Sequence, residues 1–280
     1  MSEDILFYAV FLGQILLISF YFPRKILGQM RYVITTYPPS TYPKLYPKSI
    51  EFYEKALRNY RIVNQLILVA GLLLLAFLVA YPRSGEWDGS IVLACFMVQL
   101  LPVMRLDLSS FKYFRQMRKA NSRTTRKAEM QPRRLFDFVS PALFGLAIFV
   151  YIAFILLIIY IDQFDFSWFG SYWNIVGVTL INLFFAGVVV WRLYGKKLDP
   201  HQAYEDRMRH IGITVKTLVL ISIAATLFVA ISVVLKSLDF HSPESVVMSL
   251  YLQLIAVIGL RNYRLDDINF EVYKDESLAT

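Results

Sequence analysis

The chain has 280 residues, 57% of them hydrophobic and only 18% charged, an apolar excess that excludes an ordinary soluble domain and points to the bilayer as solvent. Its 29 lysines and arginines against 21 acidic residues give a formal net charge of +8, which suits anionic lipid headgroups; nucleic-acid binding is not expected from charge alone. The single cysteine, Cys95, excludes an intrachain disulfide and a thiolate metal cluster.

Seven apolar runs, at 5–22, 62–81, 88–104, 138–161, 171–191, 214–235 and 243–260, recur along the chain. Each approaches the ~20 residues that cross a hydrocarbon core of about 30 Å at 1.5 Å per residue. Backbone groups in hydrocarbon must be satisfied within their own segment, so the expected fold class is all-α: a polytopic integral membrane protein of seven transmembrane helices. The third and seventh runs are the shortest. Glu3 and Asp4, not a basic n-region, precede the first run, which is expected to stay as a helix.

The first loop, 23–61, holds a basic stretch that can be helical, "PRKILGQMRYVITT", and then "TTYPPSTYPKLYPKS". Pro38, Pro39, Pro43 and Pro47 prevent a continuous helix and push the residues before them toward extended or polyproline II geometry. This segment lacks glycine and carries Tyr37, Tyr42 and Tyr46 with Lys44 and Lys48, so it is read as an ordered strap at the inner interface or beneath the bundle. The competing reading is a docking segment for a partner. Ser49 is placed to cap the helix that follows.

Pro102 lies near the inner end of the third run and Pro141 near the start of the fourth, where each can bend or begin a helix. Between them, 105–137 carries ten basic residues, with Lys112, Arg115 and Lys119 at helical spacing. In "LDPHQAYEDRMRH", Asp199 and Pro200 predict a short amphipathic helix from 200. His201 and Glu205 are four apart, as are Asp206 and His210, but the two histidines fall on nearly opposite helix faces, so no metal is expected. In the sixth run Ser222, Thr226 and Ala230 form a small-residue stripe for helix packing. The tail carries Asp266, Asp267, Glu271, Asp275 and Glu276 and is expected to fold back onto the basic 105–134 loop.

Charge sets the topology. Eight Lys and Arg lie in 23–61, ten in 105–137, six in 192–216 and three after 260, whereas the other faces carry only Arg83 and Lys236. The amino terminus is therefore expected outside and the carboxyl terminus in the cytoplasm of a bacterial inner membrane. Trp87, Trp168 and Trp173 fall at the outer boundary and Trp191 at the inner one, where indole rings favour the headgroup level. The organisation is one leading helix plus three helical hairpins: a single domain over 1–261 with cytoplasmic segments at 23–61, 105–137 and 192–213, followed by the tail at 262–280.

Each inbound helix has one amide near its middle: Gln14, Gln99, Asn182 and Gln253. A carboxamide facing lipid is costly, so these four are expected to point into the bundle, either to fix register or to line a neutral polar pocket. Mid-membrane Asp, Glu, Lys, Arg and His are missing, which disfavours proton relays and voltage sensing. No nucleotide loop, nucleophile elbow or zinc signature occurs, and no cofactor is expected. Two functions follow: a non-enzymatic sensor, scaffold or accessory subunit that meets a protein partner or a second copy through its basic face, or a transporter or channel for a neutral or lipophilic solute lined by the amides.

Overall fold

A computed structural model describes residues 2–81, 89–120, 133–164, 166, 168–195, 199, 201–238, 244–261 and 268–274. Expectations for Arg83, Trp87, Pro200, Asp266, Asp267, Asp275 and Glu276 lie outside these residues. The described residues are all-helical: α1 (Ser2–Leu16), α2 (Phe22–Thr36), α3 (Ile50–Ala80), α4 (Gly89–Ala120), α5 (Pro141–Asp162), α6 (Tyr172–Tyr194), α7 (Tyr204–Ser237) and α8 (Glu244–Leu260). Six helical stretches are long and apolar enough to cross a membrane, the first being Asp4–Thr36, which joins α1 to α2. The last apolar helix, α8, is shorter at 17 residues.

Local chemistry explains the ends and joints. Ser140 accepts from the Leu143 amide at 3.2 Å and Pro141 occupies the first turn, so α5 begins where its sequence demands. A π-helical turn, Leu17–Tyr21, separates α1 from α2, and the Phe22 amide reaches back five residues to the Leu17 carbonyl. Pro23 follows and cannot donate to the Ser19 carbonyl, which is where a regular helix would direct its amide. Pro102 lies inside α4, yet that helix runs through it to Ala120, 32 residues in all.

The helix expected from residue 200 is corrected. Asp199 does not cap it: Asp199 Oδ1 accepts from the His201 amide at 2.8 Å, a local turn that competes with helix, and α7 starts only at Tyr204. From there it runs unbroken to Ser237, so the amphipathic segment is the first part of a membrane-length helix.

α8 sits at the centre, packed on α1, α4 and α7, while α3 lies against α1 and α4, and α5 and α6 lie against α7. Two groups of helices result. One core gathers Phe7, Phe11, Ile15, Val92, Phe96 and Leu252 between α1, α4 and α8. The other forms two smaller cores among α5, α6 and α7, around Val189 and Val215 at one level and Phe154, Ile158 and Val233 at another. Phe228 of α7 and Tyr251 of α8 stack across the join with centroids 4.3 Å apart. Lys236 and Glu244 pair at 3.0 Å where α7 gives way to α8.

Large side chains such as Leu73, Phe149 and Phe184 remain exposed along the helices. Only 11% of the most apolar window of α5, and the same share of α6, is buried in the protein. Such an apolar exterior is stable against lipid and would aggregate in water.

Candidate functional site

The four mid-helix amides fall into two separate clusters. Gln14 is fully buried and acts as a hub: its Nε2 donates to the Val92 carbonyl at 3.3 Å and to Gln99 Oε1 at 3.4 Å, and its Oε1 accepts from Ser249 Oγ at 2.7 Å. Gln253 joins from α8, donating to the Val10 carbonyl at 3.0 Å and to Ser249 Oγ at 3.4 Å. Asn182 lies apart on α6, accepting from Ser222 Oγ at 2.6 Å and donating to Thr226 Oγ1 at 3.2 Å.

The small-residue stripe of α7 thus does two things. Ser222 and Thr226 hold Asn182, and Ala230 packs on the apolar core next to Val233. Ser249, which supplies the hydroxyl between Gln14 and Gln253, escapes a reading of the amides alone; its signal is its place one helical turn before Gln253. Among the described residues Gln99 Nε2 has no hydrogen-bond acceptor.

At the basic end of the bundle the tyrosine-proline segment is folded. Tyr37, Tyr42 and Tyr46 share nearly one backbone conformation, with φ of −120°, −122° and −123° and ψ of 75°, 57° and 76°. The following prolines exclude helical geometry there, and the chain turns after each tyrosine in place of a polyproline II run. The Tyr42 amide reaches the Pro38 carbonyl at 2.9 Å and the Tyr46 amide the Pro43 carbonyl at 3.1 Å.

Against this strap lies the tail turn Phe270–Tyr273. Tyr37 and Phe270 are 4.3 Å apart by ring centroid, Tyr42 donates to Glu271 Oε1 at 2.8 Å, and Lys44 Nζ reaches the Lys274 carbonyl at 2.8 Å. Tyr46 donates to the Tyr37 carbonyl at 2.7 Å, and burial with the neighbouring Tyr53 pushes its phenol up to about 12. Tyr113 of α4 donates to the Leu45 carbonyl, and Met117 of α4 completes the core. Lys48 stays exposed over the Phe52 ring at 3.9 Å. Glu271 meets a strap tyrosine and Lys274, while Phe270 and Tyr273 pack against Tyr113 and Met117, which lie within the 105–134 segment onto which the tail is expected to fold.

Two buried carboxylates anchor the far side of the tail. Asp206 pairs with Arg209 at 2.8 Å and accepts the Asn269 amide at 2.9 Å; Asp199 accepts the Tyr273 hydroxyl. Burial first, and then the Asp199 charge, raise the Tyr273 phenol far above its usual range, so it stays neutral and donates. Among the described residues no three His, Cys, Asp or Glu side chains converge to hold a metal ion.

An all-helical bundle with six helices of membrane-spanning length has the architecture of an integral, multi-pass membrane protein. Compared with family models, curated proteins and solved structures, the chain matches none of them.

Proposed function

We propose that the protein is a non-enzymatic scaffold, sensor or accessory subunit of a bacterial inner membrane, crossing it seven times with its amino terminus outside. In this reading α8 is the seventh crossing, kept short because it is surrounded by other helices and can meet the interface without long apolar ends. The basic end faces the cytoplasm, where anionic headgroups and a protein partner or second copy meet it.

The carrying observation is the division of labour between the polar clusters. The intramembrane amides are spent on one another and on neighbouring hydroxyls, as register-fixing groups are. The strap, tail and α4 extension instead build an ordered surface at the basic end. An alternative path for a neutral or lipophilic solute draws on Gln99 Nε2, which retains an unused donor.

Substituted cysteines at 14, 99, 182 and 253, in a chain with Cys95 replaced by serine, separate the two. The scaffold reading expects all four to resist a small water-soluble maleimide in membranes. Rapid labelling of all four would transfer the assignment to the solute path.

A further inference from the structure

A cleft of about 370 Å³ opens between the π turn and α2 on one side and α3 on the other. Its walls grade from apolar to cationic. Phe20, Leu27 and Leu68 line it together with Arg24, Arg31 and Arg61. A second hollow of about 360 Å³ shares Arg31 and Arg61 and adds Arg58, with Glu54 as its one acidic residue. Among the described residues none of these four arginines is held in an ion pair. Four guanidinium groups against the single carboxylate of Glu54 leave the lining of the two hollows net positive among the described residues, a field that favours an oxyanion able to accept paired N–H bonds.

Ser19 marks the other end of the cleft. Ser19 lines the hollow as a residue, is only 3% exposed, and keeps its Oγ just beneath the surface with no hydrogen-bond partner among the described residues. It lies in the π turn, with Pro23 unable to supply the amide that would otherwise engage its carbonyl. A buried hydroxyl without a partner in an apolar wall is costly unless a ligand atom satisfies it, and π turns of this kind recur where ligands bind. Ser19 precedes Arg24 by about one and a half turns, roughly 7 Å along the helix.

We propose that this cleft binds one anionic glycerophospholipid of the cytoplasmic leaflet, its phosphate between Arg24, Arg31 and Arg61 and its ester region beside Ser19. The leaflet assignment rests on the topology proposed above; the binding site itself does not. General attraction of a basic face to acidic lipid would need no cleft, no depth gradient and no buried hydroxyl. The volume lies in the range of small-ligand pockets, about 300–1,000 Å³, and is sufficient for a headgroup and the first part of the chains.

The test is native mass spectrometry of the full chain in detergent, titrated with phosphatidylglycerol and, separately, with phosphatidylcholine of the same acyl chains. One phosphatidylglycerol should be retained in preference to phosphatidylcholine. The double variant Arg24→Gln/Arg61→Gln should weaken it by about a hundredfold, the loss of two charge-assisted contacts. Lys112→Gln/Arg115→Gln, which removes equal charge from α4, should bind as the parent does.

Gly28→Trp keeps every arginine and puts an indole into the cleft, since Gly28 lines it and a Cβ there meets nothing within 4 Å; it too should lose the lipid. Equal weakening by both double variants, or undiminished binding to Gly28→Trp, would overturn the site. Displacement of the lipid by millimolar inorganic phosphate would overturn it in favour of a free anion. Labelling of Arg31→Cys, in the Cys95→Ser chain, from outside intact cells would refute the topology while leaving a detergent-measured lipid site standing.

Discussion

Tyr273 donates its phenol hydrogen to Asp199 Oδ2 across 74 residues of sequence, and both side chains are buried. The bond fastens the tail to the segment that leads into α7. Tyr273→Phe keeps the ring and strands a buried carboxylate oxygen, so it should cost about 1–3 kcal/mol. Thermal unfolding in detergent reads the loss, and protease cleavage within 268–274 should accelerate in parallel.

The same pair sets a pH limit. The folded phenol lies above its ordinary value of 10.0, chiefly through burial, while the unfolded one does not. Below that value both states are protonated and the contribution is complete; above it the unfolded state sheds its proton first and stability falls. The melting temperature of the parent chain should therefore decline as pH rises past 10.0 more steeply than that of Tyr273→Phe. Parallel curves would show that this phenol is not buried against Asp199.

Gln14 and Asn182 belong to different clusters, so their energies should be independent. Gln14→Leu and Asn182→Leu should each destabilise by roughly 0.6–2 kcal/mol, and the double variant should equal their sum within about 0.5 kcal/mol. Gln14→Leu combined with Ser249→Ala should instead cost clearly less than the sum, because both remove the one 2.7 Å bond. A double-mutant cycle in detergent unfolding measures both couplings.

A Cβ at Gly71 would lie 3.2 Å from Ile15 Cγ2, closer than ordinary contact, so the absence of a side chain at position 71 eases the approach of α3 to α1. Gly71→Val should overpack this contact at a cost of about 1–3 kcal/mol. Ile15→Ala in the same chain should recover part of it, and melting temperatures of the two single variants and the double variant decide the matter.

What hydropathy resolves is position along the chain: the six long apolar helices lie on apolar runs of the sequence. It does not resolve azimuth. Gln14, Gln99, Asn182 and Gln253 all fall near the middle of apolar runs, yet Asn182 turns toward Ser222 and Thr226 while the other three gather around Gln14 and Ser249. Hydropathy also stops at the interface. α3 begins at Ile50 and α7 at Tyr204, well before their apolar runs, because polar residues continue a helix once tertiary contacts support it.

The tail does meet the 105–134 segment, but through residues other than its charges: Phe270 and Tyr273 pack with Tyr113 and Met117, and two aromatics in a four-residue turn leave no periodic signal. Asp199 reads as a helix start and Asp206 as one residue of an i, i+4 pair with no metal to hold; their burial becomes visible only once Asn269 and Tyr273 are placed against them.

α4 is a single rod that carries Gln99 near one part of its length and Met117 about 27 Å further along at 1.5 Å per residue. Pro102 lies between the two without ending the helix. One continuous helix therefore contributes both to the buried amide cluster, through Gln99, and to the aromatic platform under the strap and tail, through Tyr113 and Met117, so the two ends share one rigid element.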